Sequence, residues 1–502
     1  MRYSSLATVL LYLVVLSGSN VAVRGQTLYD TVGFTDRDRQ VYGPALRYIV
    51  NDTLRGVHVV WKGGFGDIYY NFRARDSSWR WAGGTVINLF PRNLGCLAVD
   101  RATGRAVIGT DYLFRNESQT SYFQDSAAGQ ARFRERDVIS GFRGLVPASS
   151  YYVTLFAGER NDTLFGLSLF TFQRIGRVGS FPGYSVAGAR NSARFCYVWT
   201  STDGPDCGTL YIKETPNNGA NWYANVNLSD SAPGPFRYSR FGGSAVYDSI
   251  RLYLVTAFYD GLRPNHSEIW LYAKYDTPPW TRIHEFGLPD SVRIGDHALA
   301  CCRPTIAQNP RNSELFVVWE QFDPGNVDPL TGLCRADVWA ARSGDSGRTW
   351  GRPVRLTRPD QCSKRFPFLA EVADDTLRII CFADSVAGFW EQGQGPRTRN
   401  PVLYLRFPTD QLPTGLAEDK RDTVELSSSS HVVQSVVVNS FAVRCPGQAL
   451  VQVFDPAGRM VRSQRVWRTA SDIGWNLNAG VYFVRVVSDN GSPQTSRVAK
   501  VR

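Results

Sequence analysis

Residues Ser343 to Trp350 read S-G-D-S-G-R-T-W, and this stretch decides the fold of the long middle part of the chain. The carboxylate of Asp345 can fold back onto backbone N–H groups of its own turn, as aspartates do in tight turns. Gly347 permits a positive φ, and the indole of Trp350 can fill space between neighbouring sheets. The stretch therefore predicts a compact β-turn that ends in a buried aromatic ring.

Two other stretches end in the same way. Thr215 to Trp222 reads T-P-N-N-G-A-N-W, with Asn217 at the position of the aspartate, and Ala74 to Trp81 reads A-R-D-S-S-W-R-W. A polar turn that closes on tryptophan at three separated places indicates that one structural unit is repeated along the chain.

The repeated unit extends from Gln26 to about Leu412. Each copy has a short apolar strand, a polar turn and a second strand rich in Val, Tyr and Trp. The first strands start near Pro44, Leu94, Gly144, Tyr184, Gly243, Pro304 and Pro367. Repeats of about 50 residues with four strands each are typical of β-propeller blades.

The number of blades has two interpretations. Seven starts favour seven blades, but the third and fourth starts are only about 40 residues apart, and the units near residues 100–180 have no such turn, so six blades is the alternative. A tandem of all-β sandwiches would not need a tryptophan after a turn in unit after unit. The sequence therefore predicts an all-β propeller.

The turn at Ser343, Asp345, Gly347, Thr349 and Trp350 resembles the Asp-box, or BNR repeat, of sialidase-like β-propellers. In that family the box lies at the periphery of the blade, away from the catalytic centre. The resemblance therefore implies a fold, with these residues in a structural role, and does not by itself imply an activity.

Composition supports short strands and excludes some partners. The 502-residue chain has 13% aromatic residues, 45 Gly, 26 Pro and 2 Met, which is typical of strands and turns. The formal net charge is +11, but the 56 Lys and Arg are spread along the chain without a basic run. We therefore expect no nucleic-acid partner, whereas an acidic glycan or an anionic envelope stays possible.

The N-terminus predicts export. Arg2, an apolar run from Leu6 to Leu16, and small or polar residues through Gly25 have the layout of a secretory signal peptide over residues 1–25. No later run reaches the roughly 18 apolar residues of a membrane-spanning helix, so we expect no transmembrane segment. The predicted location is secreted or on the outer cell surface.

Nine cysteines in an exported chain permit disulfides, and the odd number leaves at least one unpaired in a monomer. Cys196 and Cys207 flank a polar loop and are candidates for a disulfide that closes a hairpin. Paired CxxC or Cys/His spacing is missing and the five histidines are scattered, so the sequence predicts neither a metal site nor a cofactor.

A second module follows the repeats. Residues 413–431 contain Pro413, Gly415, a charged run and four consecutive serines at 427–430, which predicts a solvated linker between a propeller over 26–412 and a domain over 432–502. The last segment reads as a small Ig-like β-sandwich. Alternation in Val481 to Val487 puts Val481, Phe483 and Arg485 on one side and the intervening residues on the other.

This module resembles the type A C-terminal sorting domain of type IX secretion. The resemblance covers about 70 residues and includes V-F-D-P-A-G-R from Val453 and L-N-A-G-V-Y-F-V-R from Leu477. It departs at Val438 to Phe441, where the family has an N-P motif. It implies the type IX secretion machinery as a partner, and a plain Ig-like accessory domain is the alternative.

Candidate site residues come from the first strands, which line the central channel of a propeller. Three arginines lie near their starts: Arg47, Arg303 and Arg365. Sialidases hold the substrate carboxylate with three arginines, so the resemblance makes these three weak candidates, together with Tyr238 as a nucleophile. The acids Glu320, Glu371 and Asp296 are available partners, but no spacing singles out one set.

Two functions are consistent with this sequence. The first is an exported propeller that binds a glycan, a polymer or a surface protein. The second is a sialidase-like exo-glycosidase, which would need three channel arginines facing a Tyr–Glu pair and an aspartate. We favour the first because the fold pattern is specific and the catalytic pattern is diffuse.

Overall fold

A computed structural model describes residues 28–41, 47–75, 77–93, 95–114, 117–150, 153–167, 172–178, 183–201, 208–234, 237–248, 250–415, 423–424, 435–437, 441–473, 478, 480–488 and 494–500. The predicted signal peptide, most of the predicted linker, the strand start at Pro44 and the loop with Cys207 lie outside these residues. Among the described residues, no helix is long and apolar enough to cross a membrane.

The described chain is all-β, and its first part forms seven four-stranded antiparallel sheets. β1 (Leu28–Thr35) comes first. Sheet 1 contains β2 (Ile49–Asp52), β3 (Gly56–Lys62), β4 (Ile68–Ala74) and β5 (Thr85–Val86), and sheet 2 contains β6 (Cys96–Val99), β7 (Ala106–Phe114), β8 (Glu117–Asp125) and β9 (Phe133–Ser140). Sheet 3 contains β10 (Arg143–Ser149), β11 (Thr154–Arg160), β12 (Thr163–Leu167) and β13 (Phe172–Arg177), and sheet 4 contains β14 (Tyr184–Gly188), β15 (Phe195–Thr200), β16 (Leu210–Thr215) and β17 (Val226–Asn227).

The remaining sheets follow the same order. Sheet 5 contains β18 (Tyr238–Tyr247), β19 (Leu252–Tyr259), β20 (His266–Ala273) and β21 (Trp280–Gly287), and sheet 6 contains β22 (Cys301–Gln308), β23 (Leu315–Val327), β24 (Cys334–Ser343) and β25 (Val354–Arg355). Sheet 7 contains β26 (Ser363–Leu369), β27 (Thr376–Asp384) and β28 (Asn400–Pro408), completed by β1. Short 3₁₀ turns lie at Gly64–Gly66, Ser229–Ser231, Trp390–Gln392 and Thr409–Gln411.

The first strands of these sheets contact one another in chain order around a central channel. β2 contacts β6, and the contacts continue through β10, β14, β18 and β22 to β26. The ring closes where sheet 7 meets sheet 1, because β27 contacts β2, the rings of Tyr48 and Phe368 stack at 4.4 Å, and Asn51 Nδ2 donates to Val372 O at 3.2 Å. This cyclic arrangement is a β-propeller.

The N-terminal strand β1 closes the ring, which the sequence analysis did not anticipate. β1 pairs with β28, with Asp30 opposite Tyr404 and Thr35 opposite Asn400. Sheet 7 is therefore built from both ends of the repeat region. The pairing covers the strand that would otherwise be an exposed sheet edge.

The second strands form the densest part of the core because neighbouring sheets cover both of their faces. Every residue of β3 and of β15 is buried. Trp61, Trp199 and Trp319 lie in three second strands and are at most 1% exposed. This explains why these strands read as continuous apolar runs rather than as alternating ones.

The Ser343–Trp350 turn joins β24 to β25, and its polar side chains bind the turn backbone. Ser343 Oγ accepts from Gly347 N at 2.8 Å, and Asp345 Oδ1 accepts from Thr349 N at 2.9 Å. Thr349 Oγ1 donates to Asp345 Oδ2 at 2.7 Å, and Trp350 Nε1 donates to Gly347 O at 3.2 Å. Gly347 has φ 92°, and a Cβ there would overlap Leu271 of sheet 5.

The Thr215–Trp222 turn has three of these four bonds, with asparagine in place of aspartate. Thr215 Oγ1 accepts from Gly219 N at 2.8 Å, Asn217 Oδ1 accepts from Asn221 N at 2.7 Å, and Trp222 Nε1 donates to Gly219 O at 2.9 Å. The Trp222 ring lies 5.2 Å from Tyr197. Both turns press a tryptophan against the apolar core between sheets.

The described C-terminal strands belong to one six-stranded sheet. Its strands are β29 (Thr423–Val424), β30 (Ser435–Val437), β31 (Phe441–Phe454), β32 (Met460–Ile473), β33 (Gly480–Ser488) and β34 (Gln494–Lys500). Val451, Val453 and Val484 are buried, while Phe483 and Arg485 are exposed, which agrees with the predicted alternation in β33. The sandwich and the domain boundaries stay predictions.

We predict that Asp345→Ala lowers the free energy of unfolding by about 1–3 kcal/mol, because it leaves the N–H of Thr349 and the hydroxyls of Ser343 and Thr349 without their acceptor. Urea unfolding of the variant measures this loss. The control is Asp290→Ala, which removes an exposed aspartate. Equal stability of both variants would contradict a structural role for this turn.

Candidate functional site

Antiparallel pairing decides which residues meet at each end of the channel. Within each sheet, the start of the first strand, the end of the second strand and the loop into the third strand lie at the same face, which we call the mouth face. The loops between successive sheets also reach this face. The turns at Ser343–Trp350 and Thr215–Trp222 lie at the opposite face, because they follow third strands.

Arg303 and Arg365 lie near the mouth face, at the starts of β22 and β26, and both bind Glu320. Arg365 Nη2 lies 3.1 Å from Glu320 Oε1, and Arg303 Nη1 forms an ion pair with the same oxygen. Phe366 N donates to Glu320 Oε2 at 2.9 Å. Glu320 is fully buried. Burial by itself raises the pKa of this carboxyl, but Arg303 and Arg365 outweigh it and hold the pKa at about 2.

Aromatic rings enclose these two arginines. The Arg303 guanidinium lies 4.3 Å from the ring centroid of Phe241 and 4.7 Å from that of Phe366. The Arg365 guanidinium lies 4.5 Å from the Phe389 centroid. Their side chains are only 9% and 4% exposed. The buried cluster therefore links sheet 5, sheet 6 and sheet 7. Glu320 forms ion pairs with Arg303 and Arg365, the two arginines that the sequence predicted as ligands for a substrate carboxylate.

Arg47 belongs to a different network, which crosses the channel near the opposite face. Arg47 Nη1 lies 2.8 Å from Glu371 Oε2, and Arg101 Nη2 lies 3.0 Å from Glu371 Oε1. Arg101 also donates to Ser149 O at 3.2 Å. Burial by itself raises the pKa of Glu371, but Arg47, Arg101 and Arg190 lower it below its ordinary value. We call this network the channel plug.

The space above the channel plug is narrow. It amounts to about 20 Å³ and is lined by Arg47 and by six of the first strands, with Cys96, Val146, Ser185, Ser244, Thr305 and Phe368 among the lining residues.

Tyr238 lies at the start of β18 on the mouth face and is 43% exposed. Its ring lies 6.3 Å from that of Tyr259 and packs against Gly208 and Gly261. No hydrogen bond from Tyr238 to a carboxylate occurs among the described residues. The structure thus joins Arg303 to Arg365 but does not bring Arg47 or Tyr238 to them.

Two further arginines, together with Arg303 of the Glu320 cluster, lie around His297 at the mouth face. Arg39 comes from the loop between sheet 7 and sheet 1, Arg240 from β18 and Arg303 from β22. Partial burial, followed by the charges of these arginines, lowers the pKa of His297 to about 4. We call the three arginines and His297 the arginine ring. A neutral imidazole surrounded by guanidinium groups marks a place with positive potential, where an anionic group would be stabilised.

Hydrogen-bond donors and acceptors both lie beside the arginine ring. With its amide oxygen turned toward them, Gln392 accepts from His297 Nε2 at 2.9 Å and from Arg39 Nη1 at 3.2 Å, and it donates to Asp296 Oδ2 at 3.3 Å. Arg240 is exposed, and no carboxylate pairs with it in the described part of the chain. The site thus offers donors for an anion and acceptors for hydroxyl groups.

Sequence reasoning missed Arg39, Arg240, His297 and Gln392. The available signal was position, since Arg39 and His297 lie in segments that enter first strands and Arg240 lies at the start of one, as Arg303 and Arg365 do. The set combines three first-strand starts from different repeats with Gln392, which lies between β27 and β28, so no single repeat shows it.

A second buried carboxyl lies beside this site. Asp38 is 6% exposed, its Oδ2 accepts from Trp390 N, and it lines a small cavity with Arg365, Asp384 and Asn400. Burial, together with the charges of Asp384 and Glu391, raises the pKa of Asp38 to about 7, although Trp390 N lowers it. Asp38 therefore changes charge near neutral pH.

No protein-family model and no curated protein sequence matches this chain. Among solved structures, the intramolecular trans-sialidase from Ruminococcus gnavus in complex with oseltamivir carboxylate is similar at 10% identity over 77% of this chain and 98% of that chain, with a TM-score of 0.38. An α-L-arabinofuranosidase from Fusarium graminearum matches at 11% identity over 77% and 99%, with a TM-score of 0.40. The six-bladed β-propeller lectin of Aleuria aurantia matches at 12% over 75% and 97%, with a TM-score of 0.34.

These similarities are too distant to assign a family or an activity. The propeller assignment depends on the strand order and on the closed ring of contacts described above.

We predict that Glu320→Gln destabilises the protein by about 3–5 kcal/mol at pH 7, because it leaves two buried guanidinium groups without a negative partner. The depressed pKa also means that wild-type Glu320 stabilises the fold above its unfolded pKa near 4.5 and loses that contribution as the pH falls toward 2. Urea unfolding between pH 3 and 7 should show a weaker acid dependence in the variant. Glu117→Gln, at an exposed position, is the control.

We predict that Asp38→Asn stabilises the protein at pH 8 more than at pH 5. The folded pKa of Asp38 lies above its unfolded value, so ionisation opposes folding increasingly as the pH rises from about 4 to about 7. Tm measured at both pH values, with Asp290→Asn as the control, tests this. A stabilisation that does not depend on pH would show that Asp38 titrates normally.

Proposed function

We propose that this protein is an exported, non-catalytic β-propeller of seven blades that binds an acidic glycan at the mouth face. The observation that carries the proposal is the arginine ring around the half-buried His297, in which the exposed Arg240 has no carboxylate partner among the described residues. Planar guanidinium groups bind carboxylates and sulfates through two parallel hydrogen bonds.

The neighbouring groups favour an acidic sugar over a simple anion. The carboxylate of the exposed Asp296 provides an acceptor beside the arginines, and sugar hydroxyls can donate to it. A phosphate or sulfate ion would have no use for this acceptor. The Arg47–Glu371–Arg101 plug supports binding from the mouth face only.

The catalytic alternative, a sialidase-like exo-glycosidase, requires a free Tyr–Glu pair. Both carboxylate oxygens of Glu320 are occupied by Arg303, Arg365 and Phe366 N, and those of Glu371 by Arg47 and Arg101. Tyr238 packs against Tyr259 instead. These contacts support binding without hydrolysis.

Export to the cell surface through type IX secretion is the second part of the proposal. It rests on the N-terminal segment and on the V-F-D-P-A-G-R turn between β31 and β32. In this turn Asp455 Oδ1 accepts from Ala457 N at 2.9 Å and from Arg459 N at 3.0 Å, and Arg459 Nε donates to Asp455 Oδ2 at 2.8 Å. A turn held by its own side chains is a defined surface feature that a secretion receptor can recognise.

We predict that Arg240→Ala weakens binding to acidic glycans about tenfold or more and leaves the fold intact, because the Arg240 side chain is exposed and without an acidic partner among the described residues. A glycan array probed with the mature chain, followed by titration calorimetry with the strongest acidic glycan, measures this loss. Arg132→Ala, an exposed arginine at the opposite face, is the control.

Two results would contradict the proposal. Acidic glycans that bind no better than neutral ones would exclude the arginine ring as their site. If the wild type hydrolyses a fluorogenic sialoside and Arg240→Ala does not, the protein is a glycosidase and not only a binding protein.

A further inference from the structure

Phe65 is an exposed aromatic residue in an unfavourable backbone conformation. It occupies the centre of the Gly64–Gly66 turn in the β3–β4 loop, at the mouth face, with φ 57° and a side chain that is 81% exposed. A bulky residue rarely adopts a positive φ, and this ring gains little burial within its own chain. Such an outlier at a surface loop motivates a search for a ligand.

The surrounding loops hold Phe65 in place. Gly63 N donates to Asp67 O at 2.7 Å, and Gly66 O accepts from Arg92 N at 2.8 Å and from Asn88 Nδ2 at 3.0 Å. A Cβ at Gly64 would overlap the Asp36–Arg397 ion pair, which lies directly on this turn. The ring is therefore presented by a rigid turn, so little conformational entropy would be lost when a ligand stacks on it.

Two nearby arginines contact three aromatic rings: Arg397 contacts Phe65 and Trp390, and Arg399 contacts Phe34. The Arg397 guanidinium lies 4.8 Å from the ring centroid of Phe65 and 5.4 Å from that of Trp390. The Arg399 guanidinium lies 4.4 Å from the centroid of Phe34, which is 43% exposed. We call these five residues the aromatic shelf.

The aromatic shelf is continuous with the arginine ring. The 3₁₀ turn Trp390–Gln392 carries a shelf residue at its start, and at its end Gln392 binds His297 and Arg39. The segment after β1 also links the two, because Asp36 O accepts from Trp390 Nε1 at 3.2 Å and Arg39 follows three residues later. Each feature thus borders the other through two different segments of the chain.

We propose that the aromatic shelf is a second subsite for the acidic glycan, so that the protein binds an oligosaccharide of at least two sugars rather than a single terminal sugar. One sugar places its acidic group at the arginine ring, and a neighbouring sugar lays its apolar C–H face on Phe65 or Trp390. The exposed Arg399 attracts the charge of that second sugar. This proposal rests on the proposed function above.

The observations favour a glycan over a protein partner at this surface. Aromatic and arginine residues are also common at protein interfaces. A protein interface, however, needs about 800 Å² on each side, whereas the shelf is a short row of rings that leads directly into a charged pocket. The arginines of the shelf can bind the acidic groups of an oligosaccharide, and its aromatic rings can bind the apolar faces of the sugars.

The test compares ligands of increasing length. The mature chain is titrated by calorimetry with size-graded oligomers of one, two, four and six sugars from three acidic polymers: polysialic acid, polygalacturonate and chondroitin sulfate. We expect the affinity to rise at least tenfold from one to four sugars in the series that binds best. We expect Phe65→Ala to remove most of that rise and to leave the affinity for the single sugar unchanged.

Matched variants separate the possible outcomes. Phe65→Tyr should restore the length dependence because it keeps the ring, and Leu54→Ala, which truncates a 74% exposed side chain at the opposite face of the same sheet, should have no effect. Affinity that does not depend on length, or that Phe65→Ala leaves unchanged at every length, overturns the second subsite while the arginine ring stands. Absence of binding in all three series, or binding that Arg240→Ala does not weaken, overturns both proposals. Loss of binding to a purified non-glycosylated surface protein in Phe65→Ala, with oligosaccharide binding unchanged, would assign the shelf to a protein partner instead.

Discussion

Each four-stranded sheet of this protein can bury its two faces only against its neighbours, so the fold depends on the ring being closed. The pairing of β1 with β28 provides that closure, because it completes sheet 7 with a strand from the other end of the repeat region. Apolar clusters then extend without interruption from sheet 7 through sheet 1 to sheet 4, and from sheet 4 back to sheet 7. An open ring would expose a sheet face and a strand edge at the same time.

The ring of first strands also determines where buried charged side chains lie in the channel. Because first strands converge on the axis, long charged side chains from different sheets come within reach of one another in a region of low dielectric. Glu320 neutralises Arg303 and Arg365 near the mouth face, and Glu371 neutralises Arg47 and Arg101 near the opposite face. These two networks stabilise the ring, while Arg240 stays exposed and partial burial, followed by the charges of the neighbouring arginines, lowers the pKa of His297. The candidate site is the part of the mouth face where Arg240 has no carboxylate partner among the described residues.

Local sequence predicted the repeated unit well. The second strands are unbroken β-forming runs such as G-V-H-V-V-W-K at Gly56–Lys62, and the turns at Ser343–Trp350 and Thr215–Trp222 contain within eight residues nearly all the groups that bind them. The bonded residues lie within a few positions of one another in the sequence, so the sequence alone predicts these turns. The same reasoning overlooked β1, since an eight-residue strand that pairs with residues 400–406 has no local signature of its partner.

The contacts of the candidate site, unlike those of the turns, could not be predicted from local sequence. Arg47, Arg303 and Arg365 share one sequence context, near the start of a first strand, yet the side chain of Arg47 lies across the channel at Glu371 while the other two bind Glu320. The sequence by itself determined the strands, the tryptophan-closed turns and the all-β class, because hydrophobic pattern and turn chemistry act over a few residues. Only the tertiary structure decided which arginines are neutralised, which surround His297 and which stack on Phe65 and Trp390. The reason is that electrostatic and stacking partners are selected by distance in space, and here they come from segments up to about 350 residues apart in the chain.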